Sequence, residues 1–311
     1  MANIIPDDLD FGAYMRQTDA RAKVRRASDF VDALSAEFGP PERRVRCPEM
    51  FSTSLRGRLE FRPGEVTAWA GYNGHRKSLF TGQLALDLCT QRQRVLSMSM
   101  EMAPVQTLSR MARQAFGLAK PALASIERFS SWTNDRLWLF DHVGRLTPSQ
   151  CLAVIRYFAE ELKGTHIIVD SMMMVCASEE HLDEQKQFTT DIVRAAQEYR
   201  VHVHLVAHCR KPASGDEGKP PTKYDLRGSA AISDQCQNVV ICWANAAKKA
   251  ALEVNPTDPK YVDEPDALAT VAKQRNGQWE GKVKLWFDEA SLRFVDRRGP
   301  VEPYVLREDT Q

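Results

Sequence analysis

The feature that most restricts this chain is the octet GYNGHRKS, Gly71 to Ser78, together with what flanks it. Before it runs EVTAWAG, an apolar stretch with strand character. After it runs KSLFTGQLALDLCTQ, with the periodicity of an amphipathic helix. A strand, a glycine-rich turn and a helix opening with Lys77-Ser78 present backbone N–H groups that cradle phosphate. The lysine then reaches the β- and γ-phosphates, and the serine hydroxyl ligates a divalent cation. One residue departs from the pattern G-x-x-x-x-G-K-[ST]: Arg76 stands where the second glycine belongs. That position usually takes a left-handed backbone, which costs a non-glycine residue on the order of 1–2 kcal/mol. Three outcomes are open for Arg76. It points outward and catalysis survives, its charge helps hold phosphate, or it blocks the nucleotide.

The octet sits in an alternation of short apolar runs and helical segments. The strand candidates are VTAWAG, RVLSMSME, LWLFDHV, HIIVDSMMMV, VHVHLVAH, NVVICWA, ATVAKQR, KVKLWFD and LRFVD. Helical segments at 78–92, 104–116, 148–163 and 184–199 separate the early ones. Continuous apolar strands joined by helices predict an α/β fold with a mainly parallel, twisted sheet flanked by helices. The last three strands lie close together and suit an antiparallel extension. The polar, Pro/Gly- and charge-rich stretches 210–229 and 245–266 are expected to be mobile surface loops. With 311 residues, 43% of them apolar, the chain suffices for one large domain and a small extension.

Residues 1–40 read differently. Tyr14, Ala22, Phe30, Leu34 and Phe38 fall near one helical face, with Arg16, Arg21, Lys23, Arg25 and Arg26 among them, and Gly39-Pro40-Pro41 stops the helix. Such a helix either caps its own domain or docks on a neighbouring subunit.

The formal charge of +1 excludes a polyanion site built on bulk charge, so any nucleic-acid surface must come from local clustering. The seven cysteines are scattered, without a C-x-x-C pair, and several stand in apolar runs; they read as buried free thiols in a reducing cytosol. The start MANIIPDDLDF is too polar for a signal peptide, and no apolar run is long enough to span a membrane. A cytoplasmic protein with no membrane partner is the expectation.

Two acids complete the chemistry of the octet. Asp170 ends the apolar strand HIIVD, where a carboxylate can hold the water shell of Mg²⁺ beside phosphates. Glu101 ends RVLSMSME, where a carboxylate can orient and deprotonate an attacking water. Each acid alone is an ordinary strand end. His202, His204 and His208 in HVHLVAH raise a metal site, but no Cys/Asp cluster matches them. His202 and His204 read better as strand packing residues.

In order, GYNGHRKS, SMEM, IIVDS, VHLVAHCRK, DLRGSAAI and AKQRNG resemble the hexameric replicative DNA helicases of the DnaB type, nearest the bacteriophage helicase-primase branch. The resemblance implies a RecA-like P-loop NTPase over 46–297, a helical arm for subunit docking over 1–45 and a tail over 298–311. It implies ATP, or another NTP or dNTP, held by Gly71, Asn73, Gly74, His75, Arg76, Lys77 and Ser78, with Mg²⁺ on Ser78 and Asp170. Glu101 matches the catalytic base. His208 matches a sensor of γ-phosphate, and Arg275 a finger donated to the neighbour's nucleotide, with Lys273 beside it. Phe287 matches the ring that packs on adenine, although a core aromatic would read the same way. Arg210, Lys211, Lys219, Lys223, Arg227, Gly228 and Ser229 match a loop for single-stranded DNA phosphates, although Asp216 and Glu217 interrupt its charge.

The resemblance thus implies a ring, a hexamer, moving on single-stranded or forked DNA during replication, with primase or loader supplied as separate chains. An ATPase-impaired accessory protein, and a recombinase-like or signalling ATPase of the same fold, remain alternatives.

Overall fold

The computed structural model describes residues 26–38, 47–176, 182–212, 217–226, 231–304 and 306. Its centre is β1 (Val66–Gly71), every residue of which is buried. Around it, β2 (Val95–Ser99), β3 (Leu137–Leu139), β4 (His166–Asp170), β5 (His202–His208) and β6 (Asn238–Ala244) run parallel. Then β7 (Ala267–Gln274), β8 (Gly281–Asp288) and β9 (Arg293–Val295) add on antiparallel, giving a nine-stranded sheet of order β3-β2-β4-β5-β1-β6-β7-β8-β9. The predicted parallel sheet and its antiparallel extension are both present.

Alternate residues of β1 feed two cores, as strand pleating requires. Val66, Ala68 and Ala70 face one packed layer, and Trp69 faces the other. Helices α2 (Lys77–Thr90) and α3 (Pro104–Phe116) contribute to the Trp69 side, with α4 (Leu123–Thr133). The opposite side is covered by α5 (Pro148–Glu160) and α6 (Leu182–Tyr199). His166, His202 and His204 belong to the interior. Their rings pack at centroid distances of 4.6–5.6 Å, with Phe61 edge-on to His202 and His204. Trp69 Nε1 donates to His204 Nδ1 at 3.2 Å, and His166 Nδ1 and His204 Nε2 are 3.1 Å apart. Burial holds all three well below the ordinary imidazole value. Full burial and these ring contacts place all three in the packing of the interior.

One sequence expectation changes. The stretch 245–266 contains a helix, α8 (Ala246–Val254), where a mobile loop was expected. Its alanines favour the helix, and Asn245 caps it by accepting the Lys248 N–H at 3.0 Å. Lys248 is buried and ion-paired to Asp266 at 2.6 Å, which ties the helix down. The stretch 210–229, where described, carries a 3-10 turn at Lys223–Asp225, and a short helix α7 (Ala231–Gln235) follows it.

The described part of the N-terminal region forms a 3-10 turn, Ala27–Phe30, leading into α1 (Val31–Phe38). Its apolar residues Phe30, Val31, Leu34 and Phe38 are exposed by 49–77%. The earlier part of the predicted arm, with Tyr14 and Ala22, and the helix stop at 39–41 lie outside the described residues.

Candidate functional site

Parallel strands deliver their C-terminal ends to one edge of the sheet, and the candidate residues collect there. Gly71 closes β1 opposite His208, the last residue of β5, and Ser99 of β2 pairs with Asp170 of β4. Gly71 is required by packing, because a β-carbon there would collide with the Cys242 carbonyl of β6. Gly74 has φ 77°, which favours glycine. The turn then delivers Arg76 as the residue preceding α2, at φ 60° and ψ 24°. The left-handed backbone expected of that position is adopted by an arginine.

Lys77 is 5% exposed, and its Nζ donates to the Gly71 and Tyr72 carbonyls at 3.1 and 2.8 Å. It lies 3.2 Å from His208 Nδ1. Burial, reinforced by the Lys77 charge, pushes His208 down to about 4, so a neutral imidazole accepts from the ammonium. Asp170 is 8% exposed, and burial pushes its carboxyl up to about 6 against the opposing hydrogen bond from Ser78. Glu101 is exposed and accepts from Ser171 Oγ at 3.0 Å. Asn73, Gly74, Lys77, Ser78, Glu101, Asp170 and His208 line one cleft of about 780 Å³. The sequence reading missed Arg110 and Arg113, which line the same cleft from α3; their i, i+3 spacing on a predicted helix was the available signal.

A second cleft, of about 620 Å³, lies on the other side of the loop and shares Asn73, Gly74 and Arg76 with the first. Phe287, Asp266, Asn245, Lys248 and Glu289 are in its wall. The Arg76 guanidinium lies over the Phe287 ring at 3.8 Å, and its Nη2 meets Glu289 Oε1 at 3.3 Å. Arg76 is thus engaged with the end of β8. His75 also turns its side chain to structure. Its Nδ1 accepts the Ala244 N–H at 3.0 Å, and its Nε2 faces Glu217 at 3.2 Å. Burial is the main influence on His75 and lowers its pKa.

The remaining candidates lie elsewhere. Gln274, at the end of β7, pairs with Asn238 at the start of β6, so Arg275 sits at the sheet edge opposite the phosphate loop. It is exposed, and its Nη2 donates to the Asp234 carbonyl at 2.8 Å. Lys273, expected beside Arg275 at a neighbour's nucleotide, donates its Nζ in this chain to the Ser233, Asp234 and Cys236 carbonyls at 2.7–2.9 Å, which uses all three ammonium donors on the end of α7. Arg210, Lys211 and Lys219 are exposed and Lys223 is half-buried, so the described part of the basic stretch faces solvent. Arg227, Gly228 and Ser229 lie outside the described residues.

With this geometry in hand, the comparisons with known proteins agree on one group. The family described as DnaB-like helicase C terminal domain matches residues 56–296. A replicative DNA helicase DnaB of Rickettsia bellii (strain RML369-C) is 22% identical over 285 residues, covering 78% of this chain and 56% of that protein. Its counterpart in Rickettsia prowazekii (strain Madrid E) is 25% identical over 163 residues, covering 48% of this chain and 33% of that protein. The chain therefore spans about half the length, or less, of these curated relatives. Among solved structures, the ATPase domain of G40P superposes with a TM-score of 0.64 at 16% identity, over 76% of this chain and 86% of that one. A DnaB-like replicative helicase, solved with its interactions with primase, gives 0.72 at 14% identity, over 88% of this chain and 69% of that one. At such identities the structural likeness speaks for the fold.

Proposed function

The chain belongs to the DnaB-like helicase C-terminal domain family, and from that premise we propose that it is a nucleoside-triphosphate-driven motor of a ring-shaped replicative DNA helicase. The observation that carries the reading is the convergence of Lys77, Ser78, Glu101, Asp170 and His208 on one cleft at the C-terminal edge of a parallel sheet. In this reading Lys77 exchanges its carbonyl partners for phosphate oxygens. Ser78 and Asp170 suit a hard divalent cation, since both offer oxygen and the buried carboxylate resists ionising without a cation beside it. Bound Mg²⁺ would supply neutralisation of charge on the phosphates. Glu101, held by Ser171, orients the attacking water and takes its proton.

His208 touches Lys77 and stands two residues before Arg210, so a change at the phosphates reaches the basic stretch 210–226 along one strand end. Those cations would contact single-stranded DNA phosphates, and repetition around a ring would sum a modest local charge into a positive channel. Arg275 points away from its own cleft. It suits a finger given to a neighbouring subunit's nucleotide, where such a group contributes 10³-fold or more, on the order seen for arginine fingers. The exposed apolar face of α1 supports an arm that docks on the next subunit. Six subunits, a primase or loader as partner and a cytoplasmic setting complete the proposal. No described helix is long and apolar enough to cross a membrane.

Steady-state phosphate release with MgATP, with and without single-stranded DNA, tests the reading. The chain should hydrolyse ATP faster with DNA, and Lys77→Ala should abolish turnover in both conditions. An accessory protein would bind DNA and release no phosphate, and DNA strand exchange without unwinding of a fork would favour a recombinase.

A further inference from the structure

Arg76 is the one residue of the loop that the phosphate-binding pattern does not explain. A triphosphate held by Lys77 and Ser78 would leave its nucleoside beside the loop, and the second cleft borders the loop at Asn73, Gly74 and Arg76. Phe287 supplies a phenyl face in that cleft, and Asn245, Asp266 and Lys248 supply polar groups, the combination that receives a heterocyclic base. The Arg76 guanidinium already covers the Phe287 face at 3.8 Å, anchored by Glu289, which Lys249 shares at 3.5 Å. The left-handed backbone at φ 60° gives the loop its turn, while the side chain is committed to β8 rather than to Lys77 or Ser78.

We propose that Arg76 determines nucleotide recognition at the base end: its guanidinium competes with the base for Phe287 and leaves the phosphate contacts untouched. The inference rests on the reading of Lys77 and Ser78 as the phosphate site. A guanidinium on a phenyl ring contributes about 0.5–2 kcal/mol. Removing the competitor should therefore tighten a base-bearing ligand by about 3- to 30-fold. A ligand with phosphates and no base should not notice.

The test is calorimetric binding of MgATP and of magnesium tripolyphosphate to the wild-type chain, Arg76→Gly, Glu289→Gln, Phe287→Leu and the Arg76→Gly/Phe287→Leu double variant. Arg76→Gly should tighten ATP by about 3- to 30-fold and leave tripolyphosphate within about twofold. Glu289→Gln, which loosens the guanidinium without altering the loop, should shift ATP alone in the same direction by less. With Phe287 replaced by leucine, arginine and glycine at position 76 should bind ATP alike. Equal tightening of both ligands would overturn the proposal and make Arg76 a block on phosphate. Weakening of both would make it a phosphate ligand, and weakening of ATP alone would make it a stacking partner of the base. Binding of neither ligand to any variant would overturn the phosphate-site reading, and this proposal with it.

Discussion

At the scale of single residues, Asp170 carries a stability cost that its proposed role at the site would account for. Its carboxyl is raised to about 6, chiefly by burial, against an ordinary value of 3.8. The folded chain therefore binds the proton more tightly than the unfolded one, and ionised Asp170 destabilises the fold above pH 6. A rise of that size corresponds to about 3 kcal/mol at most. Asp170→Asn should raise unfolding stability at pH 8 by up to about that amount. The gap between variant and wild type should shrink as pH falls through 6 and vanish near 4; denaturant unfolding at several pH values measures it. The buried histidines act in the opposite sense, but they are common to both proteins and cancel in the difference. Asp170 was legible because the apolar run IIV ends at it, and Glu101, read as the end of another strand, stands two residues past the end of β2. The partners of His75 and Arg76 were not. Glu217 and Glu289 stand 142 and 213 residues away, distances over which no spacing rule operates.

At the scale of elements, the sheet was legible and the small helices were not. Long apolar runs announce buried parallel strands, whereas α8 hides its alanine signal behind a lysine pair and a proline-rich flank. The short α7 has too few turns for a period to show, and three lysine hydrogen bonds hold its end. Those bonds tie Lys273 to the end of α7, the helix that follows the basic stretch. Lys273→Met keeps the stem and leaves the three carbonyls without the ammonium, so it should cost about 1–3 kcal/mol and speed amide hydrogen exchange in α7. If Lys273 served nucleotide instead, the variant would lose hydrolysis with stability and exchange unchanged. Tyr224, 83% exposed beside Lys223 in the same stretch, also escaped the sequence reading, which weighed cations and passed over an aromatic that a base can stack on.

At the scale of the whole molecule, one chain holds the two halves of the proposed catalytic centre at opposite edges of its sheet. Lys77, Glu101 and Asp170 stand at one edge and Arg275 at the other, so Arg275 cannot complete the cleft of its own chain. In the proposed reading a neighbour brings the second half, which is why that reading calls for a ring. The measurement that tests this most directly is complementation between two inactive variants. Lys77→Ala and Arg275→Ala should each lose DNA-stimulated ATP hydrolysis when assayed alone. Mixed and allowed to exchange subunits, they should regain part of the wild-type rate, because some interfaces then pair an intact Lys77 with an intact Arg275. A mixture as inactive as its components, or an Arg275→Ala variant that hydrolyses ATP at the wild-type rate, would contradict the shared site.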